Sequence, residues 1–121
     1  MRSNGFSGGW RILLCAAIVL VAGCESIHES EDYKRHRYSQ LIEPRDRDDV
    51  LYFDVKFDVN YPSDDPVAEE IRMGWLTAWL DARNMCADGF RIADQRPFDS
   101  MEYNPAQYDR RYEVKCKVVA P

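Results

Sequence analysis

The sequence predicts a small α+β domain of two layers, with one helix packed on one face of a three-stranded sheet, in the order strand, helix, strand, strand. Two periodicities support this fold class. Residues 50–59 and 110–119 alternate apolar and polar side chains, which is typical of strands with one buried face. Residues 66–86 repeat apolar side chains every three to four positions, which is typical of a helix. The domain is predicted to occupy residues 50–121.

The first predicted strand, residues 50–59, has one apolar face and one polar face. The residues that we expect to face the core are Leu51, Phe53, Val55, Phe57 and Val59. The polar face carries Asp54 and Asp58. A general acid needs a buried carboxyl group with a raised pKa, and a solvated strand face does not provide one. We therefore interpret both carboxylates as solvated charges.

The predicted helix has a start signal, a buried arc and a stop signal. Asp65 is expected to be the N-cap, with Pro66 at the first helical position. Gly89 is expected to end the helix in a left-handed conformation. The residues of the arc that we expect to pack on the sheet are Val67, Ile71, Trp75, Ala78, Trp79, Ala82, Met85 and Cys86.

A second, narrower apolar stripe lies on the opposite side of the predicted helix and consists of Met73, Leu76 and Leu80. Exposed apolar residues at helical spacing can mark a surface that binds a partner protein. The alternative is that the segment before residue 50, or the loop at residues 95–109, folds back over this stripe. We retain the three residues as candidate partner-binding residues.

Two further strands complete the predicted sheet. Residues 90–94 form a short one, with Phe90 and Ile92 inward, and residues 110–119 form the last one. The inward residues of the last strand are Tyr112, Val114, Cys116 and Val118. We expect the last strand in the middle, antiparallel to both others, with a right-handed crossover between the first two. The aspartates of the first strand would then face the basic residues Arg111, Lys115 and Lys117.

The segment at residues 95–109 is a long loop for so small a domain. Long loops without their own secondary structure are often functional. Its aromatic residues Phe98, Tyr103 and Tyr108 are therefore the best candidates for recognition of a ligand or partner, with Arg96 beside them. The alternative is a compact loop that packs on its own aromatic side chains.

The first 23 residues have the features of a secretory leader. Arg2 and Arg11 precede an apolar run at residues 12–22, which is too short to span a membrane. The run ends in Val21-Ala22-Gly23-Cys24, which resembles the lipobox of bacterial lipoproteins. That resemblance implies cleavage before Cys24, a diacylglyceryl thioether on its sulfur and an acylated amine. The alternatives are an ordinary secretory leader or a short membrane helix.

The resemblance also implies a location. Glu25 follows the modified cysteine, and the absence of Asp there resembles the lipoproteins of the outer membrane that face the periplasm. Residues 24–49 are rich in both charges and poor in aliphatic side chains, so we predict a flexible tether between lipid and domain. Cleavage removes two of the 16 basic residues and no acidic one, which changes the net charge from −5 to −7. Such a charge argues against nucleic acid as a partner.

Four cysteines reduce to two in the mature chain, because Cys15 leaves with the leader and Cys24 carries lipid. Cys86 and Cys116 remain in a compartment that oxidises thiols, and we predict that they form a disulfide bond. The two periodicities place Cys86 on the buried face of the helix and Cys116 on the buried face of the sheet. A redox-active pair or free thiols are the alternatives, and the lack of a C-x-x-C motif disfavours redox chemistry.

The sequence predicts no enzymatic activity. His28 and His36 both lie in the tether, so the domain has no histidine for Ser-His-Asp or Cys-His catalysis and no metal-ligand spacing. We predict no cofactor beyond the covalent lipid. The leading hypothesis is a lipid-anchored envelope protein with an accessory or assembly role through protein–protein contacts. The alternative is a periplasmic sensor, or a module that binds a small ligand or the cell wall through the loop at residues 95–109.

Overall fold

The computed structural model of the chain describes residues 30–119. The leader, the lipobox with Cys24 and residues 25–29 of the predicted tether lie outside the described residues. The elements are α1 (Glu31–Tyr38), β1 (Ser39–Ile42), β2 (Leu51–Val55), α2 (Pro66–Ala82), β3 (Phe90–Pro97) and β4 (Arg110–Cys116). From Arg35 onward the chain forms one compact unit. Neither described helix is long and apolar enough to cross a membrane.

The four strands form one antiparallel sheet in the order β1-β2-β4-β3. The α+β class is confirmed, and β4 lies between β2 and β3, antiparallel to both, as predicted. The prediction of three strands is wrong, because Ser39–Ile42 pairs with β2 although it lies within the predicted tether. Leu41 of this strand is buried in the core, so even a highly charged segment contributes an apolar contact there.

The core lies between α2 and one face of the sheet, and it shows that the helix is rotated relative to the prediction. Leu76, which was expected on the exposed side, has none of its surface exposed, and Leu80 is buried beside it. Met73 is half-buried against the same core. Val67, which was expected to be buried, is 63% exposed. The prediction of an exposed stripe is therefore wrong for Leu76 and Leu80, and only Met73 of the three retains part of its surface.

A buried arginine explains the rotation of the helix. Arg72 is buried, and it donates to the carbonyl oxygen of Pro62 at 2.6 and 3.2 Å and to that of Ser63 at 3.3 Å. Its Nε also lies 3.3 Å from the carboxylate of Glu69, which accepts from the hydroxyl of Tyr112. The apolar periodicity of the helix predicts an exposed position for Arg72. Because its partners satisfy its charge by hydrogen bonding, Arg72 can instead lie on the buried face of the helix.

The ends of α2 match the prediction at one terminus only. The side chain of Asp65 accepts from the backbone N–H of Ala68 at 3.0 Å, so the predicted N-cap is confirmed. At the other end Asn84 has a φ of 56°, and the N–H of Met85 bonds to the carbonyl of Leu80 at 2.9 Å. Asn84 therefore provides the left-handed cap that was predicted for Gly89. Because the helix ends at Ala82, Met85 and Cys86 follow it rather than belong to it.

The strands differ in length from the prediction. β2 stops at Val55, whose carbonyl oxygen accepts from the N–H of Asp109, and the Asp109 carboxylate accepts from the N–H of Phe57 at 2.7 Å. These bonds hold the chain beside the start of β4, and the turn follows at Asp58, whose carboxylate accepts from the N–H groups of Asn60 and Tyr61. Val59 lies in this turn and is exposed rather than inward. β4 stops at Cys116, which leaves Val118 exposed as well. β3 is longer than predicted, with an irregular register between Ile92 and Asp94.

The disulfide between Cys86 and Cys116 is confirmed. It joins Cα atoms 4.8 Å apart and links positions 30 residues apart in the chain. Cys116 is exposed rather than buried, so the expectation that both sulfurs lie on buried faces is wrong. The bridge instead ties the segment after α2 to the end of β4, at the margin of the core.

Candidate functional site

The sheet face that points away from α2 carries the candidate site. We term it the outer face and expected it to be solvated. Instead, the loop at residues 98–109 between β3 and β4 lies against it. Asp54, on this face of β2, has none of its surface exposed. The interpretation of Asp54 as a solvated charge is therefore wrong.

Asp54 is the centre of a charged cluster on the outer face. It lies directly opposite Arg111 in the β2–β4 register, so the predicted cross-strand pair is confirmed. Arg111 donates from Nε to Oδ1 of Asp54 at 2.8 Å and from Nη2 to Oδ2 at 3.0 Å. The amide of Gln40, on β1, donates to the same Oδ2 at 2.8 Å. A two-pronged pair of this kind holds both side chains in one geometry.

Glu102 connects this cluster to the loop. It accepts from Nη1 of Arg111 at 3.2 Å and from both terminal nitrogens of Arg96 at 2.8 Å. It also accepts from the backbone N–H of Asp99, within the loop itself, at 3.2 Å. The hydrogen bonds from Arg96 lower the pKa of the Glu102 carboxyl from its ordinary 4.5 to about 2. Glu102 is therefore ionised at neutral pH and holds the loop onto the sheet.

Two aromatic rings cover the guanidinium group of Arg111. Its central carbon lies 4.2 Å from the ring centroid of Tyr52 and 4.8 Å from that of Phe98. Contacts of this type add a cation–π attraction to the ion pair. They also fix the positions of the two rings, one contributed by β2 and one by the start of the loop.

A groove of about 430 Å³ lies between the loop and the outer face. The residues that line it are Gln40, Ile42, Pro44, Tyr52, Phe98, Glu102, Tyr103, Asn104, Pro105, Ala106, Tyr108 and Arg111. The far wall is shaped by Asn104, whose side chain both accepts from the N–H of Tyr108 and donates to its carbonyl, each at 2.9 Å. The volume of the groove is within the range of sites that bind small molecules. We refer to this feature as the outer groove.

The predicted site residues of the loop meet at the outer groove, and those of the helix do not. Phe98, Tyr103 and Tyr108 all line it, although residues 95–97 belong to β3 rather than to the loop. The sequence reasoning missed Asp54, Arg111 and Glu102 as members of the site. The alternation of β2 and β4 placed the first two on one face, but nothing in that pattern showed that the loop would cover them.

A second cavity of about 570 Å³ lies beside the disulfide, with Val50, Met85 and Val118 among its lining residues. Its lining includes one ion pair, in which Arg47 lies 3.2 Å from Asp49, and Arg47 also bonds to Glu113 outside the cavity at 3.0 Å. We favour the outer groove as the site because a fully buried carboxylate fixes the arginine in its wall.

Among residues 30–119, no three His, Cys, Asp or Glu side chains converge on a position that could hold a metal ion. Comparison with protein-family models, with curated proteins and with solved structures gives no match to the chain. The outer groove and the lipobox are therefore the features of the chain that bear on its function.

The low pKa of Glu102 predicts a specific acid response. A carboxyl group whose pKa is lowered in the folded state stabilises the fold above its ordinary pKa and loses this effect as pH falls towards the folded value. We expect the Glu102→Gln variant to be less stable than the wild type by about 2 kcal/mol at neutral pH, with the gap closing between about pH 5 and about pH 2. Urea unfolding of both proteins across this pH range measures the difference in their free energies of unfolding. A gap that does not change with pH would contradict the role given to Glu102.

Proposed function

We propose that the protein is a non-enzymatic, lipid-anchored protein of the cell envelope whose domain binds a small ligand in the outer groove. The observation that carries this proposal is that the predicted recognition loop lies against the sheet and borders a groove of about 430 Å³, which Phe98, Tyr103 and Tyr108 line. The lipobox supports an anchor at Cys24 that faces the periplasm. We therefore prefer the loop at residues 98–109 as the binding element. The apolar stripe of the helix is less suitable, because its residues Leu76 and Leu80 are buried.

The state of the carboxylates supports binding rather than catalysis. A general base needs a carboxylate or an imidazole that is free to take a proton from the substrate. Asp54 and Glu102 each accept hydrogen bonds from arginine, and the pKa of Glu102 is lowered to about 2. Residues 50–121 contain no histidine, and His36 of the folded unit lies with its ring 4.7 Å from that of Trp79 and is not among the residues that line the groove. Both carboxylates are therefore held by arginine side chains, and neither is free to act as a general base.

Tyr103 provides the most direct test of the groove, because it lines the cavity while 87% of its surface is exposed. We expect Tyr103→Ala to weaken the binding of a groove ligand about fivefold to tenfold, which corresponds to the loss of one aromatic contact. Met101→Ala is the matched control, since Met101 is 91% exposed in the same loop but does not line the groove.

The measurement is an NMR titration of the mature chain carrying Cys24→Ser, which cannot be acylated. The probes are a soluble disaccharide–peptide fragment of the cell wall and the neutral dye N-phenyl-1-naphthylamine. We expect at least one probe to shift the amide signals of Tyr52 and of residues 98–108. Shifts that occur only elsewhere, or an equal effect of both substitutions, would contradict a site in the outer groove.

The anchor has its own test, which is the intact mass of the protein extracted from membranes. We expect a chain that begins at Cys24 and carries the added mass of the diacylglyceryl and acyl groups. Replacing Cys24 with serine should abolish the added mass. A free thiol at Cys24, or a chain that retains its first 23 residues, would contradict the lipid anchor and the envelope location.

A protein partner is the second candidate, and the exposed tip of the loop favours it. Met101 and Tyr103 are both almost fully exposed, which is unusual for large apolar side chains so close together. A photo-crosslinking residue at position 101 should then capture an envelope protein in intact cells, whereas one at Lys117, exposed beyond β4, should not. Equal capture at both positions would count against a partner at the loop tip.

A further inference from the structure

The charges in the wall of the outer groove cancel one another. Among the described residues, Glu102 and Arg111 are the charged side chains that line it, and each is bound to a further charge behind the wall. Arg111 pairs with Asp54, and Glu102 pairs with Arg96. Two positive and two negative groups therefore form one neutral cluster, so the lining carries no net charge. Lys56 lies outside the lining, with its Nζ 5.2 Å from the ring centroid of Tyr108.

Arg111 is also difficult for a ligand to reach. Its side chain is only 12% exposed. The central carbon of its guanidinium group lies 4.2 Å from the ring centroid of Tyr52 and 4.8 Å from that of Phe98. Three of its N–H groups already donate to the carboxylates of Asp54 and Glu102. An anion that approached Arg111 would have to displace one of these carboxylates or lie beside it, and both arrangements are unfavourable.

The rest of the wall is apolar or already hydrogen-bonded. Ile42, Pro44, Pro105 and Ala106 contribute aliphatic surface to the cavity. The amide of Gln40 bonds to Asp54, and the amide of Asn104 bonds to the backbone of Tyr108. A charged ligand would lose bound water in this groove, and few groups of the wall are free to form hydrogen bonds in place of that water.

We propose that the outer groove selects an uncharged, largely apolar ligand with one or more rings, and that it discriminates against charged compounds of the same shape. This inference rests on the proposed function, because it names the class of ligand for the same site. The aromatic side chains at the rim, Tyr103 and Tyr108, would contact the rings of the ligand, and the neutral cluster would exclude an ionic substituent.

Two dyes with the same ring system test the proposal. N-phenyl-1-naphthylamine is neutral, and 8-anilinonaphthalene-1-sulfonate adds one sulfonate to the same skeleton. Each is titrated by fluorescence against the mature chain carrying Cys24→Ser, so that no acyl chain binds the dye. We expect the neutral dye to bind at least about tenfold more tightly than the sulfonate.

Two tryptophan variants locate the binding. Ala106→Trp adds a large side chain at an exposed position that lines the groove, and it should weaken the neutral dye about tenfold or more. Ala82→Trp places the same side chain at an exposed position at the end of α2, outside the lining residues, and should leave both affinities unchanged. Tyr103→Ala provides a second groove variant that removes atoms instead of adding them.

The possible results separate the two claims. If both dyes bind equally well and both are weakened by Ala106→Trp, the groove binds ligands but the preference for uncharged ones is wrong. Tighter binding of the sulfonate in the groove overturns the preference in the same way. If neither dye responds to Ala106→Trp or Tyr103→Ala, the groove is not a binding site for this chemistry, and the proposed function fails together with the inference.

Discussion

Replacing Asp54 with alanine is expected to lower the free energy of unfolding by about 3–5 kcal/mol, as is typical when one partner of a buried ion pair is removed. Asp54 accepts two of the three hydrogen bonds that Arg111 donates to carboxylates. Without it, a guanidinium group that is largely buried beneath Phe98 keeps its charge and loses its main partner. The loop should loosen as well, because Glu102 holds it partly through Arg111.

The measurement is urea unfolding at neutral pH, with the slope compared between variants to confirm that the same surface is exposed. Asp94→Ala is the matched control, because Asp94 is an exposed aspartate of strand β3 in the same sheet, and its replacement should change stability by no more than about 0.5 kcal/mol. A loss below about 1 kcal/mol for Asp54→Ala would indicate an ion pair that behaves as a solvated surface pair.

The second large effect is expected for Leu76→Ala, which should cost about 3 kcal/mol of stability, within the range for leucine truncations in protein cores. Leu76 has no exposed surface and belongs to the core between α2 and the sheet. Removing most of its side chain would leave a cavity in this core.

Val67→Ala is the informative comparison for this substitution. Val67 is 63% exposed, so we expect a change of no more than about 0.5 kcal/mol. The periodicity of the sequence taken alone predicts the opposite order, with Val67 buried and Leu76 exposed. Urea unfolding of the two variants therefore distinguishes the observed rotation of α2 from the predicted one. A larger loss for Val67→Ala than for Leu76→Ala would contradict the fold described above.

Local signals in the sequence were sufficient for some elements. The alternation of β2 and β4 predicted their pairing, and the Asp65-Pro66 step predicted the start of α2. The face of α2 was not predictable in the same way, because apolar residues occupy most of its circumference and Arg72 appeared polar. Its burial depends on the carbonyl oxygens of Pro62 and Ser63, which only the folded chain brings into reach.

Strand β1 and the charged cluster show a second reason for the limits of prediction. Ser39–Ile42 is too short and too close to charged residues to show the alternation of a strand in the sequence. It nevertheless forms a strand, because it pairs with β2. Likewise, the loop aromatics were predicted as a recognition element from length and composition. The burial of Asp54 was not, because it requires Glu102 to bring the loop across the outer face towards Arg111.

Photolabelling tests the central claim, that the outer groove is where a ligand binds, most directly. The mature protein is irradiated with a neutral naphthalene derivative that carries a diazirine, and the labelled peptides are mapped by mass spectrometry. We predict adducts within residues 98–108, at the groove formed by Phe98, Tyr103 and Tyr108. Adducts confined to residues 45–51 and 114–118, around the cavity beside the disulfide, would contradict the account.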